Sequence, residues 1–100
     1  MEIYNAKIID TYIGYDDHGI FSVGVTLDAG YFCQGFGYRA GQERDIDLIK
    51  GIIRVVKADK WEQVKGRYVR IARDENRDIE AIGNIIDEDW VNITTLFEED

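Results

Sequence analysis

"FSVGVTLDAGYFCQGFGYRAGQERDIDLIKGIIRVV", residues 21–56, contains the change of pattern on which the fold turns. Phe21, Val23, Val25 and Leu27 alternate with Ser22, Gly24 and Thr26, the period of a strand with one buried face. Asp28-Ala29-Gly30 has the composition of a tight turn: a carboxylate able to bond its own backbone, then a glycine free to take positive φ. Residues 31–38 return as another strand, with Phe32, Gln34, Phe36 and Tyr38 on one face and Tyr31, Cys33, Gly35 and Gly37 on the other. At Asp45 the period changes. Ile46, Ile49, Ile53 and Val56 recur at helical spacing, with Leu48, Ile52 and Val55 widening the stripe, so a helix is predicted over 45–57. Asp45 is its expected N-cap, and Asp47 suits the positive end of the helix dipole. Gly51 costs about 1 kcal/mol against alanine inside a helix, so close packing on the sheet is the expected reason for it.

The same reading extends outward. Residues 2–13, rich in Ile, Tyr and Thr, predict a first strand, and "GYDDHG" at 14–19 a turn, so the first 38 residues form a three-stranded meander. "DKWEQVKG" at 59–66 predicts a short second helix, with Asp59 and Glu62 as a capping box and Gly66 as a left-handed C-terminal cap. Residues 67–73 and 79–86 predict a second hairpin around "DENRD", with Val69 and Ile71 buried and Tyr68 and Arg70 on the other face. Broken alternation of Ile79, Ile82, Ile85 and Ile86 predicts a bulge near Gly83. Trp61 and Trp90 are expected to anchor the helix and the tail over the sheet. The sum is an α+β fold: a mainly antiparallel five-stranded sheet with one main helix on one face. It forms a single domain over residues 1–100, with residues 98–100 a frayed acidic tail.

Composition limits function. With 45% apolar residues and 12% aromatics the chain can build a core. Twenty acidic against twelve basic residues give a net charge of -8, which disfavours nucleic-acid duplexes and anionic membranes and suits a basic groove on another protein. The N-terminus has no basic segment followed by an apolar one, and no apolar run approaches the ~20 residues of a membrane span, so a cytoplasmic location is expected. The lone Cys33 excludes an intrachain disulfide and is expected as a small buried hydrophobe.

The Gly-aromatic stretch 31–45 is the strongest candidate for a binding surface. Gln34, Phe36, Tyr38 and Arg39, joined by Arg70, could receive a ligand, with a ring stacked on a base and guanidinium groups on phosphate. It lacks the spacing and the Lys-Ser/Thr pair of known phosphate-loop fingerprints, and a bulged strand would use the same glycines. Asp87, Glu88, Asp89 and Trp90 make an acidic, aromatic patch suited to a basic partner. His18 beside Asp16 and Asp17 reads as turn chemistry, since no second histidine completes a metal site. Cys33 with His18 would make a nucleophile and base without a third orienting group, the weakest of these readings. No metal and no cofactor is expected.

Four stretches, "YDDHGIFSVGVTLD" (15–28), "CQGFGYRAG" (33–41), "WEQVKGRYVRI" (61–71) and "AIGNIIDEDWV" (81–91), together resemble a family of small proteins encoded by bacteriophages and prophages. The likeness runs from Lys7 to about Val91, through the patterns Asp-His-Gly, Gln-Gly-Phe-Gly-aromatic, Trp-Glu-x-x-x-Gly-x-Tyr-Val-Arg and Ala-Ile-Gly. It brings no catalytic residues. It implies an accessory, non-enzymatic protein in the host bacterial cytoplasm that antagonises antiphage defence. Such a protein either sequesters a nucleotide signal, for which a chain this small would form a homo-oligomer, or occludes a defence protein. The alternatives are a phage assembly protein and, last, a small cysteine hydrolase.

Overall fold

The computed structural model describes residues 1–15, 17–39 and 44–92, with the side chains at 37–39, 44 and 45 outside that description. The elements are β1 (Glu2–Tyr15), β2 (Phe21–Asp28), β3 (Cys33–Arg39), α1 (Arg44–Val55), a 3-10 turn (Trp61–Gln63), β4 (Tyr68–Arg73), β5 (Ile79–Asn84) and β6 (Trp90–Asn92). All strand pairs are antiparallel, in the order β3-β2-β1-β4-β5-β6. The fold is α+β with six strands, not five.

β1 is long because it serves two neighbours in turn. Its first half, Glu2 to Lys7, pairs with β4, and its second half, Lys7 to Tyr15, pairs with β2. The handover falls at a bulge between Ile8 and Asp10. Just there Ile8 receives a bond from Gly66 N–H and donates its own N–H to the Arg67 carbonyl (2.7 and 2.8 Å). Gly66, at φ 93°, then turns the chain away in the left-handed conformation expected of it. The extra residue sends Ile8 into the core and leaves Ile9 facing outward.

Below the sheet, Ala6, Ile8, Val25, Leu27, Val69, Ile71, Ile82 and Val91 meet Leu48, Ile52, Val55 and Val56 of α1 and its C-terminal end. The helical stripe is narrower than the sequence suggests. Ile46 lies about 120° round the helix from Ile52, and it is 59% exposed. Gly51 is on the buried side as expected: a methyl group there would sit 2.6 Å from Val91 Cγ2. α1 stops in a Schellman arrangement, with Ala58 N–H on the Ile53 carbonyl, Lys57 N–H on the Arg54 carbonyl, and Lys57 left-handed at φ 57°.

Other expectations need correction. "DKWEQVKG" makes a single 3-10 turn, and Asp59 N–H is taken by the Gln63 side chain (2.8 Å), so no capping box with Glu62 forms. The bulge in the second hairpin lies at Glu80, between the Ala72–Ala81 and Arg73–Ile79 pairs, next to the turn in which Asp74 accepts from the N–H groups of Asn76, Arg77 and Asp78, and not near Gly83. Cys33 is exposed, since the period-2 register of an edge strand turns it away from the core. The sixth strand holds only three residues, too few for a period to show. Asp16, residues 40–43 and the acidic tail lie outside the described residues, and α1 already begins at Arg44, which puts Asp45 inside its first turn and not at the expected N-cap. No helix among the described residues is long and apolar enough to cross a membrane.

Candidate functional site

The Gly-aromatic stretch starts from a two-residue turn. Ala29 N–H bonds the Phe32 carbonyl (2.9 Å), Asp28 Oδ1 accepts from Gly30 N–H (2.9 Å), and Gly30 takes φ 88°. Alternation from that turn sends Phe36 and Gln34 to the core face. Phe36 packs against the core. Gln34 bridges to the β4–β5 turn, donating to the Arg77 carbonyl (2.9 Å) and accepting from Arg73 Nη1 (3.1 Å). The Arg73 guanidinium lies 3.8 Å from the centre of the Phe32 ring and 5.0 Å from that of Tyr4. Gln34 and Phe36 therefore hold the curled sheet together. The backbones of Tyr38 and Arg39 pair with Val23 and Ser22, and their side chains lie outside the description.

Arg70 is elsewhere. On β4 its side chain projects from the opposite sheet face, where Asn5 and Gly83 are its register neighbours. It donates from Nε to the Asn84 carbonyl (2.8 Å) and from Nη2 to the Asp87 carbonyl (2.8 Å), and its Nη1 lies 2.9 Å from Glu88 Oε1. The same guanidinium rests 4.9 Å from the Trp90 ring centre. Of the residues expected to receive a ligand, Gln34 and Phe36 thus lie on the core face of the sheet and Arg70 on the other.

The structure instead gathers Arg70 with Asp87, Glu88, Asp89 and Trp90 around the β5–β6 connector. Each carboxylate of the acidic run has a basic partner: Lys57 for Asp87 (2.6 Å), Arg70 for Glu88, and Arg54 for Asp89 (3.0 Å). Trp90 Nε1 donates to Glu88, and this bond, with Arg70 beside it, holds the Glu88 carboxyl below its ordinary range. The bond and charge of Asp87 raise the Lys57 ammonium. The patch is locally balanced in charge.

At the head of the connector, closing β5, stands Asn84, a buried polar residue that no motif announced. Its Nδ2 donates to the Val55 carbonyl at the end of α1 (2.6 Å), and its Oδ1 accepts from the N–H groups of Ile86 and Asp87 (2.9 and 2.8 Å). An asparagine closing a strand ahead of a non-periodic acidic run is an Asx-turn signal that could have found it. Beside the connector, α1 and β6 border an open groove of about 640 Å³, floored by Gly51 and Val91 and rimmed by Asp47, Lys50, Arg54 and Trp90.

The far end of the β1–β2 hairpin is different. There β1 has outrun β4, and Ile13, Tyr15 and Phe21 share one face with exposures of 44%, 72% and 41%. Tyr15 and Phe21 meet edge to face at 5.2 Å, and Tyr12 reaches across to donate to the Tyr15 carbonyl. Sequence alternation gave the faces of this hairpin but not which end would stay uncovered. His18 lies in its turn, while Cys33 sits at the other end of β2 opposite Asp28. Seven strand steps, roughly 23 Å, separate those ends, so the two do not form a nucleophile–base pair. Among the described residues no three His, Cys, Asp or Glu side chains converge as a metal site would require.

No protein-family model matches this chain, and no curated protein and no solved structure shows a significant match to it.

Proposed function

We propose that the protein is a non-enzymatic, phage-type accessory protein that antagonises bacterial antiphage defence by occluding a defence protein in the host cytoplasm. The carrying observation is the exposed aromatic end of the β1–β2 hairpin. Tyr12, Ile13, Tyr15 and Phe21 stand there on a paired ladder, the kind of tyrosine-rich anchor that dominates binding energy when a partner covers it. The net charge of -8 supports a target whose apolar contact is ringed by basic residues. The resemblance to phage proteins supplies the setting. Occlusion is favoured over a nucleotide sink because Gln34, Phe36 and Arg70 are spent on internal contacts.

The test is phage plating on bacteria that each carry one antiphage system and express the protein. Wild type should restore plaques against one system, and a Tyr15→Ser, Phe21→Ser double variant should lose that effect. If no system is relieved, the reading fails. If the hairpin variant still works while Tyr38→Ala and Arg39→Ala do not, the nucleotide sink replaces it, and native mass spectrometry with cyclic and linear nucleotides would then show the ligand.

A further inference from the structure

The two edges of the sheet are protected unequally. β6 has three residues, and its Trp90 carbonyl is occupied by Arg54 Nη2 (3.2 Å). β3 has seven residues, contains no proline and no bulge, and among the described residues no strand pairs with its outer side. From Ala29 to Tyr38 the sequence carries no charge. Proteins ordinarily blunt such an edge with charges, prolines, bulges or short length, and β3 uses none of these between its ends.

The turn geometry shows which groups face away from β2. Ala29 and Phe32 form a hydrogen-bonded pair, and the unbroken register makes Leu27–Gln34, Val25–Phe36 and Val23–Tyr38 bonded pairs in turn. The N–H and C=O groups of Cys33, Gly35, Gly37 and Arg39 therefore point out from the sheet. A side chain at Gly35 would meet nothing within 4 Å, so the sheet face above this edge strand is open and a larger residue fits there. The ends of the strand are opposite in charge, with Asp28 beside Cys33 and Arg39 closing the other end.

We propose that β3 is the docking edge for a second copy of this chain, the two β3 strands pairing antiparallel about a two-fold axis through Phe36. This register engages every outward group: Cys33 pairs with Arg39 of the second copy, and Gly35 with its Gly37. It also brings the Asp28 end of each strand to the Arg39 end of the other, a complementarity that a strand of uniform charge would lack. The two sheets become one, with both helices on the same side. The long-range repulsion between two acidic chains opposes docking, so association strengthens when salt screens it. Docking at β3 uses a different surface from the exposed hairpin end and does not depend on antagonism of a defence protein.

Sedimentation of the full chain over a concentration series, at low and moderate salt, provides the first test. Wild type should reach the mass of two chains, more readily at moderate salt. Gly35→Pro removes an outward N–H that β2 does not use, and should give the mass of one chain with unchanged circular dichroism. Gly35→Lys, which places a charge at the same open position, should do likewise if the proline variant fails to fold. Nitroxides on the single cysteine should lie roughly 20 Å apart in the dimer, six strand steps along the seam. A chain that stays single at every concentration overturns the proposal. So does a dimer indifferent to both variants, or labels separated by much more than that distance.

Discussion

Arg70 and Tyr15 are both large, half-polar side chains on β-strands of one sheet, yet their surroundings are opposite. The Arg70 side chain is 19% exposed and contacts two carbonyls, a carboxylate and an indole; Tyr15 is 72% exposed and touches chiefly Phe21 and the Tyr12 hydroxyl. The difference belongs to whole regions. Around the β5–β6 connector, polar and aromatic groups are consumed by the fold; at the hairpin end the large apolar side chains Ile13, Tyr15 and Phe21 stay exposed. If the hairpin end is the recognition surface proposed above, substitutions at the two ends should separate stability from recognition.

Asn84 should show the largest effect. Replacing it with alanine removes three hydrogen bonds at a buried site and leaves the Val55 carbonyl and the Ile86 and Asp87 amides without their partner. The expected loss is about 3 kcal/mol, read from the midpoint of urea unfolding at unchanged slope. Gly51→Ala follows. The helix gains about 1 kcal/mol in propensity, but the new methyl collides with Val91, giving a net loss of about 1–2 kcal/mol. Combining it with Val91→Ala should be less damaging than the sum of the two single changes, which a double-mutant cycle measures. The converse substitution is Tyr15→Ser with Phe21→Ser. Both rings are exposed, so stability should change by less than about 1 kcal/mol while partner occlusion is lost. A large loss of stability there would erase the contrast between the ends.

The same contrast explains how far the sequence could be read. Alternation in β2 and β3 and the helical spacing of α1 arise from local periods, and these placed the meander, the helix and the Gly51 contact. β6 escaped because its stability is tertiary. Its Val91 fits the notch at Gly51, and its Trp90 lies over Gly83, where a methyl would come 2.5 Å from the ring. The candidate residues were legible as chemistry and not as positions. Arg70 and Phe36 both read as ligand groups, but the strand register puts one on each face. The acidic run "DED" announces its charge, while its neutralisation depends on Arg54, Lys57 and Arg70, at least 17 residues away in sequence.

The smallest effect is the dependence of the connector on pH. Glu88 has a carboxyl pKa depressed below 4.5, first by the Trp90 N–H and then by Arg70. A depressed folded-state value stabilises above the unfolded value, and that contribution is lost as the pH falls through the folded one. Lys57 is raised above 10.5 by Asp87, so its contribution is complete below 10.5 and disappears as the pH rises past the folded value. Between those limits neither group changes the connector. Both side chains are exposed, so the effect on global unfolding should be slight and solvent-screened. A local reporter is more sensitive. In a Trp61→Phe background, Trp90 fluorescence should change with a midpoint below pH 4.5 as protonation weakens the hold of Glu88 on the indole, and Glu88→Gln should abolish that step. A step that survives Glu88→Gln would mean that the indole senses another acid, and that the connector is not clamped through this bond.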